Sequence, residues 1–307
     1  MAFNFWNILA GVVSLACACL IGCANYQKGA EKPMYLSNSA QISGSGRSTM
    51  TLAEKIVQTH VKESEVGLFY LAQAGFAIKT SQGTLVCVDP YLSDCCNTMF
   101  GFKRMVPSPI EARELDLDVL ACTHSHADHL DPETMPVFAK NSKTHFVGAR
   151  DCKEGFEKAG IAESRYSLLA KGERKTIRDV EFQAVYADHG ELAPDAVGYL
   201  IRIDGITIYQ TGDTGYQPEK IMESLGKEKI DVMIAPINGA YGNLNEVEAC
   251  KLASVVKPRM VIGCHYGMFK EHGGDPKKFI EESKKLPKGV EAIVMDVGEV
   301  RMIRENR

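Results

Sequence analysis

The chain has no basic excess, only eight histidines and no apolar run that crosses a bilayer comfortably. Its 35 Lys and Arg against 39 Asp and Glu give a formal charge of -4 and a sequence pI near 6.1. That balance excludes a general electrostatic attraction to nucleic acid, which calls for a basic face. The apolar stretch 8–22, ILAGVVSLACACLIG, falls short of the ~20 residues a transmembrane helix needs. No tandem repeat is present, which excludes solenoids and propellers, and the only low-complexity tract is SNSAQISGSGRST. With 45% hydrophobic and 24% charged residues over 307 positions, the chain can bury a sizeable core as one domain.

Three of the few histidines fall inside one short window. In VLACTHSHADHL an apolar run, strand-like over 119–123, ends in His124, His126, Asp128 and His129. On a strand, His124 and His126 share one side at period two, with Asp128 and His129 on the following turn. Imidazole and carboxylate are ligands suited to zinc, manganese and iron. Further candidates each follow an apolar run: Asp188 and His189 in FQAVYADHG, Asp213 in ITIYQTGDTGY, and His265 in RMVIGCHYGMF. A site assembled from the ends of several strands is held rigidly while loops fill it. The two glycines around Asp213 leave little bulk to obstruct a bound ion.

This order of motifs resembles the metallo-β-lactamase superfamily. Within it, THSHADHLDPETM, QTGDTGY, APINGAYG and IGCHYGMF are similar to the ascorbate-6-phosphate lactonase (UlaG-like) branch, over residues 68–303. The resemblance implies an α/β fold, the four-layer αββα sandwich, with two divalent metal ions at one edge, zinc or manganese with iron as a third option. It implies that His124, His126 and His189 hold one ion, that Asp128, His129 and His265 hold the other, and that Asp213 bridges them. Asp89, ending the run LVCVDP, matches a family aspartate that orients the metal loop.

Two cations sharing one water generate a hydroxide at neutral pH and polarise the scissile oxygen. Asp128 is the catalytic candidate, able to orient that hydroxide and shuttle its proton. The expected reaction is hydrolysis of a lactone or related ester of a small polar molecule, phosphorylated or not. The alternatives are a phosphodiesterase, phospholipid cleavage included, and a metal-binding module without turnover. The long segment 93–109 offers Lys103 and Arg104 as an anion clamp. Asn238, Tyr241, Asn243 and Tyr266 follow strand-like runs near the metal candidates and are the remaining substrate contacts. His60, His145 and His272 are assigned solvated or structural roles.

The amino-terminal region reads as a signal-peptide h-region ending in LIGC, which resembles a bacterial lipobox with Cys23 as the lipidated residue. The expected organisation is a leader over 1–23, a flexible tether over 24–49 and a hydrolase domain over 50–307, anchored to the cell membrane only through that lipid. The stretch MAFNFWN carries no Lys or Arg, so a start at Met50, giving a cytoplasmic protein, is the alternative. The seven remaining cysteines, among them adjacent Cys95 and Cys96, read as buried thiols, with Cys264 facing away from the metals. The oligomeric state is not encoded in any of these features.

Hydrophobic patterning predicts strands over 68–72, 76–79, 84–88, 119–122, 144–147, 181–186, 198–203, 206–210, 232–235, 260–263 and 292–295. Helices are expected over 53–61, 132–140, 152–159, 218–224, 244–256 and 276–285, with Asp131–Pro132 and Asp275–Pro276 as N-cap and N1 pairs.

Overall fold

A computed structural model describes residues 50–305; the leader with Cys23 and the tether lie outside these residues. Six strands come first in the chain: β1 (Glu65–Tyr70), β2 (Phe76–Lys79), β3 (Leu85–Val88), β4 (Val119–Cys122), β5 (His145–Gly148) and β6 (Tyr166–Leu168). Seven follow: β7 (Arg174–Ile177), β8 (Val180–Tyr186), β9 (Val197–Ile203), β10 (Ile206–Gln210), β11 (Val232–Pro236), β12 (Met260–Cys264) and β13 (Glu291–Ile293). A last strand, β14 (Val300–Arg304), returns to the first sheet, giving the orders β14-β1-β2-β3-β4-β5-β6 and β13-β12-β11-β10-β9-β8-β7.

Strands β3 to β6 run parallel, as do β10 to β13, and their interiors read LVCV, VLAC and VMIAP with every residue buried. Continuous apolar runs of this kind suit strands covered on both faces. Elsewhere in both sheets the pairing is antiparallel, between consecutive strands except for β14 with β1. β9 turns into β10 through Asp204 and Gly205, both at positive φ (51° and 79°), the conformation that matches the twist of paired strands. One core cluster joins side chains of both sheets, Phe146 and Val147 with Phe182 and Tyr199 among them. The Tyr199 hydroxyl crosses between the sheets to donate to the Cys122 carbonyl at 2.9 Å.

The described residues form seven α-helices: α1 (Leu52–Gln58), α2 (Cys95–Phe100), α3 (Met135–Ala139), α4 (Lys153–Lys158), α5 (Pro218–Leu225), α6 (Glu246–Val256) and α7 (Pro276–Ser283), of which α2 packs in a separate small cluster with Tyr91 and Phe269. Ile221, Leu225, Leu252 and Phe279 seal the outside of the second sheet; Ile56, Phe138 and Phe156 pack with the first. The result is the four-layer αββα sandwich. Asp275 caps α7 by accepting from Lys277 N, with Pro276 in the first turn, as expected. The seven cysteines among the described residues are free and buried.

Three differences from the sequence expectation have physical causes. Strands β6, β7 and β14 carry no buried apolar run, because each lies at or next to a sheet edge where backbone pairing, not burial, defines it. The segment 93–109 is not structureless: it opens with α2, ended by Gly101 in the left-handed conformation. α3 starts at Met135 rather than Pro132. The Asp131 carboxylate does accept from Glu133 N and Thr134 N, but it also binds Leu92 N, Ser93 N and Ser93 Oγ, so it ties two loops together in place of opening a regular helix.

A candidate metal centre at the strand ends

β3, β4, β8, β10 and β12 all end at one rim, and the residues that follow them converge there. His124, His126 and His189 present one group of nitrogens: His124 Nε2 lies 2.9 Å from His126 Nδ1, which lies 3.3 Å from His189 Nε2. Asp128, His129 and His265 form a second group, with His265 Nε2 at 3.3 Å from Asp128 Oδ2 and 3.2 Å from His129 Nε2. Asp213 reaches both groups, at 3.4 Å from His129 Nε2, 3.3 Å from His265 Nε2 and 3.7 Å from His189 Nε2. His124, His129, His265, His189 and Asp213 are all buried.

Hydrogen bonds behind the rings decide which nitrogens face inward. Asp89 Oδ1 accepts from Thr123 N at 2.8 Å, and Oδ2 accepts from Thr123 Oγ1 at 2.7 Å and from His129 Nδ1 at 3.0 Å. Because the Thr123 hydroxyl proton points at Asp89, its oxygen is left to accept from His124 Nδ1 at 3.1 Å. One carboxylate therefore sets the tautomers of two imidazoles, leaving Nε2 of each without a proton toward the centre. His126 is turned the other way, since its Nε2 donates to the Leu192 carbonyl at 3.1 Å and its Nδ1 faces inward.

Backbone strain gathers at the same place. Asp89 (φ 48°), His265 (φ 59°) and Gln73 (φ 52°) occupy the left-handed region without being glycine, a cost that persists only where the surroundings over-determine it. The Gln73 carbonyl accepts from His265 N at 2.8 Å, and its Nε2 donates to Asp128 Oδ2 at 2.7 Å. The glycine before Asp213 has a stricter task than giving an ion room. At Gly212 (φ 63°) a Cβ would sit 2.7 Å from the Val197 carbonyl and 3.0 Å from Thr123 Cβ, so only glycine lets this turn lie against the loop that follows β4.

Burial lowers His124 well below the usual imidazole range and lowers His189 to about 4. Burial alone would raise Asp128 and Asp213, but His129 and His265 beside them hold both carboxyls well below the ordinary range. Burial alone would also lower His129, yet the Asp213, Asp128 and Asp89 carboxylates raise it well above. The converging nitrogens of five imidazoles, the Asp128 and Asp213 carboxylates and an Asp213 Oδ1 with no hydrogen-bond partner form a donor set that fits divalent cations.

A cavity of about 240 Å³ opens over this centre, walled by Phe102, Leu192, Tyr241, Asn243 and His272 among others. Tyr241 is where the sequence expectation put it, and Asn243 Nδ2 donates to Asp213 Oδ2 at 2.7 Å. The other expected substrate contacts lie elsewhere. The Arg104 side chain is buried, donating through Nε and Nη1 to the Tyr91, Ser93 and Val106 carbonyls and lying over the Tyr91 ring, so it braces its own loop outside the cavity wall. Lys103 is exposed and outside the cavity wall. Asn238 is buried in a bridge with Asn245, and Tyr266 packs with the outer core of the second sheet. Cys264 is buried in the core, away from the cavity. His272, expected outside the site, stacks on His265 at 5.0 Å between ring centroids with an 11° tilt, and its Nδ1 lies 3.4 Å from Gln73 Nε2. Gln73 and Thr123 also escaped the sequence reading. The one available signal was their position, each directly after an apolar run like the metal candidates.

A family model described as a beta-lactamase superfamily domain matches residues 67–265. A metal-dependent hydrolase of Polynucleobacter asymbioticus is 29% identical over 223 residues, 66% of this chain and 75% of that protein. A probable L-ascorbate-6-phosphate lactonase UlaG of Escherichia fergusonii is 25% identical over 306 residues, covering 80% of this chain and 83% of that one. Among solved structures, Igni18, a metallo hydrolase from Ignicoccus hospitalis, superposes with a TM-score of 0.63 at 20% identity, over 78% of this chain and 99% of that one, a likeness of fold.

Proposed function

The chain belongs to the metallo-β-lactamase superfamily, and from that membership we propose that it is a metal-dependent hydrolase that binds two divalent cations and opens a lactone or related ester. The observation that carries this reading is the double convergence at the strand ends, two groups of three side chains with Asp213 within reach of both. His124, His126 and His189 would hold one cation, Asp128, His129 and His265 the other, with zinc, manganese and iron all compatible with nitrogen and carboxylate donors. Bound there, the cations supply Lewis acidity and lower the pKa of water.

The chain's own groups do the rest. Asp128, oriented by Gln73 at 2.7 Å, takes the proton of the attacking water and returns it to the leaving oxygen. Asn243 fixes the Asp213 carboxylate. The Asp89–Thr123 pair keeps His124 and His129 in the tautomers that leave Nε2 free. The burial of His124, His129, His265 and Asp213 at the cavity floor lets their charges act at lower dielectric than in open water.

The test is chelation followed by restoration. Protein stripped with EDTA should lose hydrolysis of γ-lactones and 4-nitrophenyl esters and regain it with zinc or manganese, with two metals per chain by elemental analysis. Restored cleavage of bis(4-nitrophenyl) phosphate but of no ester would move the assignment to a phosphodiesterase. Bound metal with turnover of neither class would make the domain a metal-binding module.

A further inference from the structure

We infer that this hydrolase acts on an uncharged substrate whose substituent is apolar or aromatic, recognised by an aromatic wall, and not on a phosphorylated or otherwise anionic one. The inference rests on the ester-hydrolase reading and names the substrate class of that site. Among the described residues no Lys or Arg lines the cavity. Arg104, the cation nearest in sequence to the wall's Phe100 and Phe102 after the exposed Lys103, directs Nε and Nη1 at three backbone carbonyls, with the Asp94 carboxylate 4.0 Å from Nε, and does not line the cavity. What the wall does present is a run of rings leading outward from the metal candidates. His265 stacks on His272, which meets Phe102 at 6.1 Å and Tyr241 at 5.4 Å between centroids. Phe102 in turn meets Tyr241 at 6.2 Å, Phe269 at 5.9 Å and Phe100 at 6.2 Å.

The outer part of this wall reaches solvent, while Phe102 is backed by the buried Phe269. Phe100 is 57% exposed and Tyr241 is 47% exposed, and across the cavity Leu192 is 56% exposed. Exposed large apolar side chains rimming a concave site mark ligand contact. The polar groups that do face the cavity are clustered at its floor, where Asp128, Asp213 and the imidazoles would engage the scissile group. A substituent projecting from that floor lies along rings. A phosphate placed there would be desolvated without a charge partner, which is strongly unfavourable, whereas an alkyl or aryl group gains apolar burial and ring stacking.

The experiment compares three 4-nitrophenyl esters on the zinc-loaded protein: acetate, hexanoate and the monoester of adipic acid, whose far end is a carboxylate. The expected result is a kcat/KM for hexanoate at least about tenfold above acetate and about tenfold above the adipate monoester. Tyr241→Ala and Phe102→Ala should each shrink the hexanoate-to-acetate ratio about fivefold, mainly through KM, and Phe100→Arg should raise the adipate monoester relative to hexanoate. Binding of uncleavable 4-phenylbutanamide, followed by saturation-transfer NMR, gives a readout without turnover and should weaken about fivefold in Tyr241→Ala, where the exposed side chain poses no folding hazard. A wild-type preference for the adipate monoester, equal rates on all three esters, or amide binding indifferent to Tyr241 would overturn the inference. Absence of all ester turnover would instead overturn the hydrolase reading, and the amide binding would still decide whether the wall takes an apolar ligand.

Discussion

The floor and the wall of the cavity are built on opposite principles. At the floor a chain of directional bonds aims four of the ligand candidates: Asp89 holds Thr123 and His129, Thr123 holds His124, the Leu192 carbonyl holds His126, and Gln73 holds Asp128, while His189 Nδ1 and His265 Nδ1 have no such partner. At the wall, Phe100, Phe102 and Tyr241 meet through ring contacts at 6.2 Å and longer slack is left toward solvent. The floor sits on strand ends and the wall on α2 and loops. Chemistry that must hold charges in place needs directional bonds on rigid elements, whereas apolar recognition tolerates adjustable packing.

The sharpest way to break this contrast is to remove the group common to both halves of the floor. Asp213→Ala should abolish turnover and strip both cations, while His126→Ala should remove one, with circular dichroism showing that the fold survives because strands and not ions make the core. Two metals per chain and full activity after either change would dispose of the ligand assignment. Asp89→Ala comes next: the loss of orienting bonds should weaken metal affinity by about 10- to 100-fold, measured by competition with a chelator. Thr123→Val should show part of that loss, since it removes the acceptor for His124 Nδ1.

Arg104 and Lys103 test the wall loop. Arg104→Ala should destabilise the protein by about 2–4 kcal/mol in urea unfolding, because buried carbonyls of Tyr91 and Ser93 lose their donor. Lys103→Ala should stay within about 0.5 kcal/mol. Neither should alter the ratio of rates on neutral and anionic esters; a shift in that ratio would restore these cations to substrate binding. The smallest effect is expected outside both regions, at His145, which burial and then Lys175 and Arg165 lower from its ordinary pKa. A lowered imidazole leaves the folded state with fewer protons than the unfolded one below about pH 6.5, so stability is lost there as the pH drops. His145→Gln should flatten that slope by less than about 1 kcal/mol in chelated protein, since the side chain is only partly buried.

Much of the fold was legible because burial writes it into composition. β2, β4 and β10 lie where the apolar runs place them, residue for residue at 76–79, 119–122 and 206–210. β7 reads RKTI and is mostly exposed, so nothing local marks it apart from a partner that lies later in the chain. The same division runs through the site. His124, His126, Asp128 and His129 stand out because a rare residue type is concentrated after a buried strand. His272 carries no such mark, and neither does Gln73, whose carbonyl meets His265 N across 192 positions of chain.

By itself, then, the sequence determined which strands are buried and which side chains stand at their ends, because hydrophobic period and ligand chemistry are local properties. Tertiary structure alone decided which nitrogen of each imidazole faces the centre, that Arg104 braces a loop, and that a row of rings leads out from the floor. Those depend on contacts between segments far apart in the chain, where the register of two sheets places a carboxylate, a carbonyl or a ring within reach of its partner.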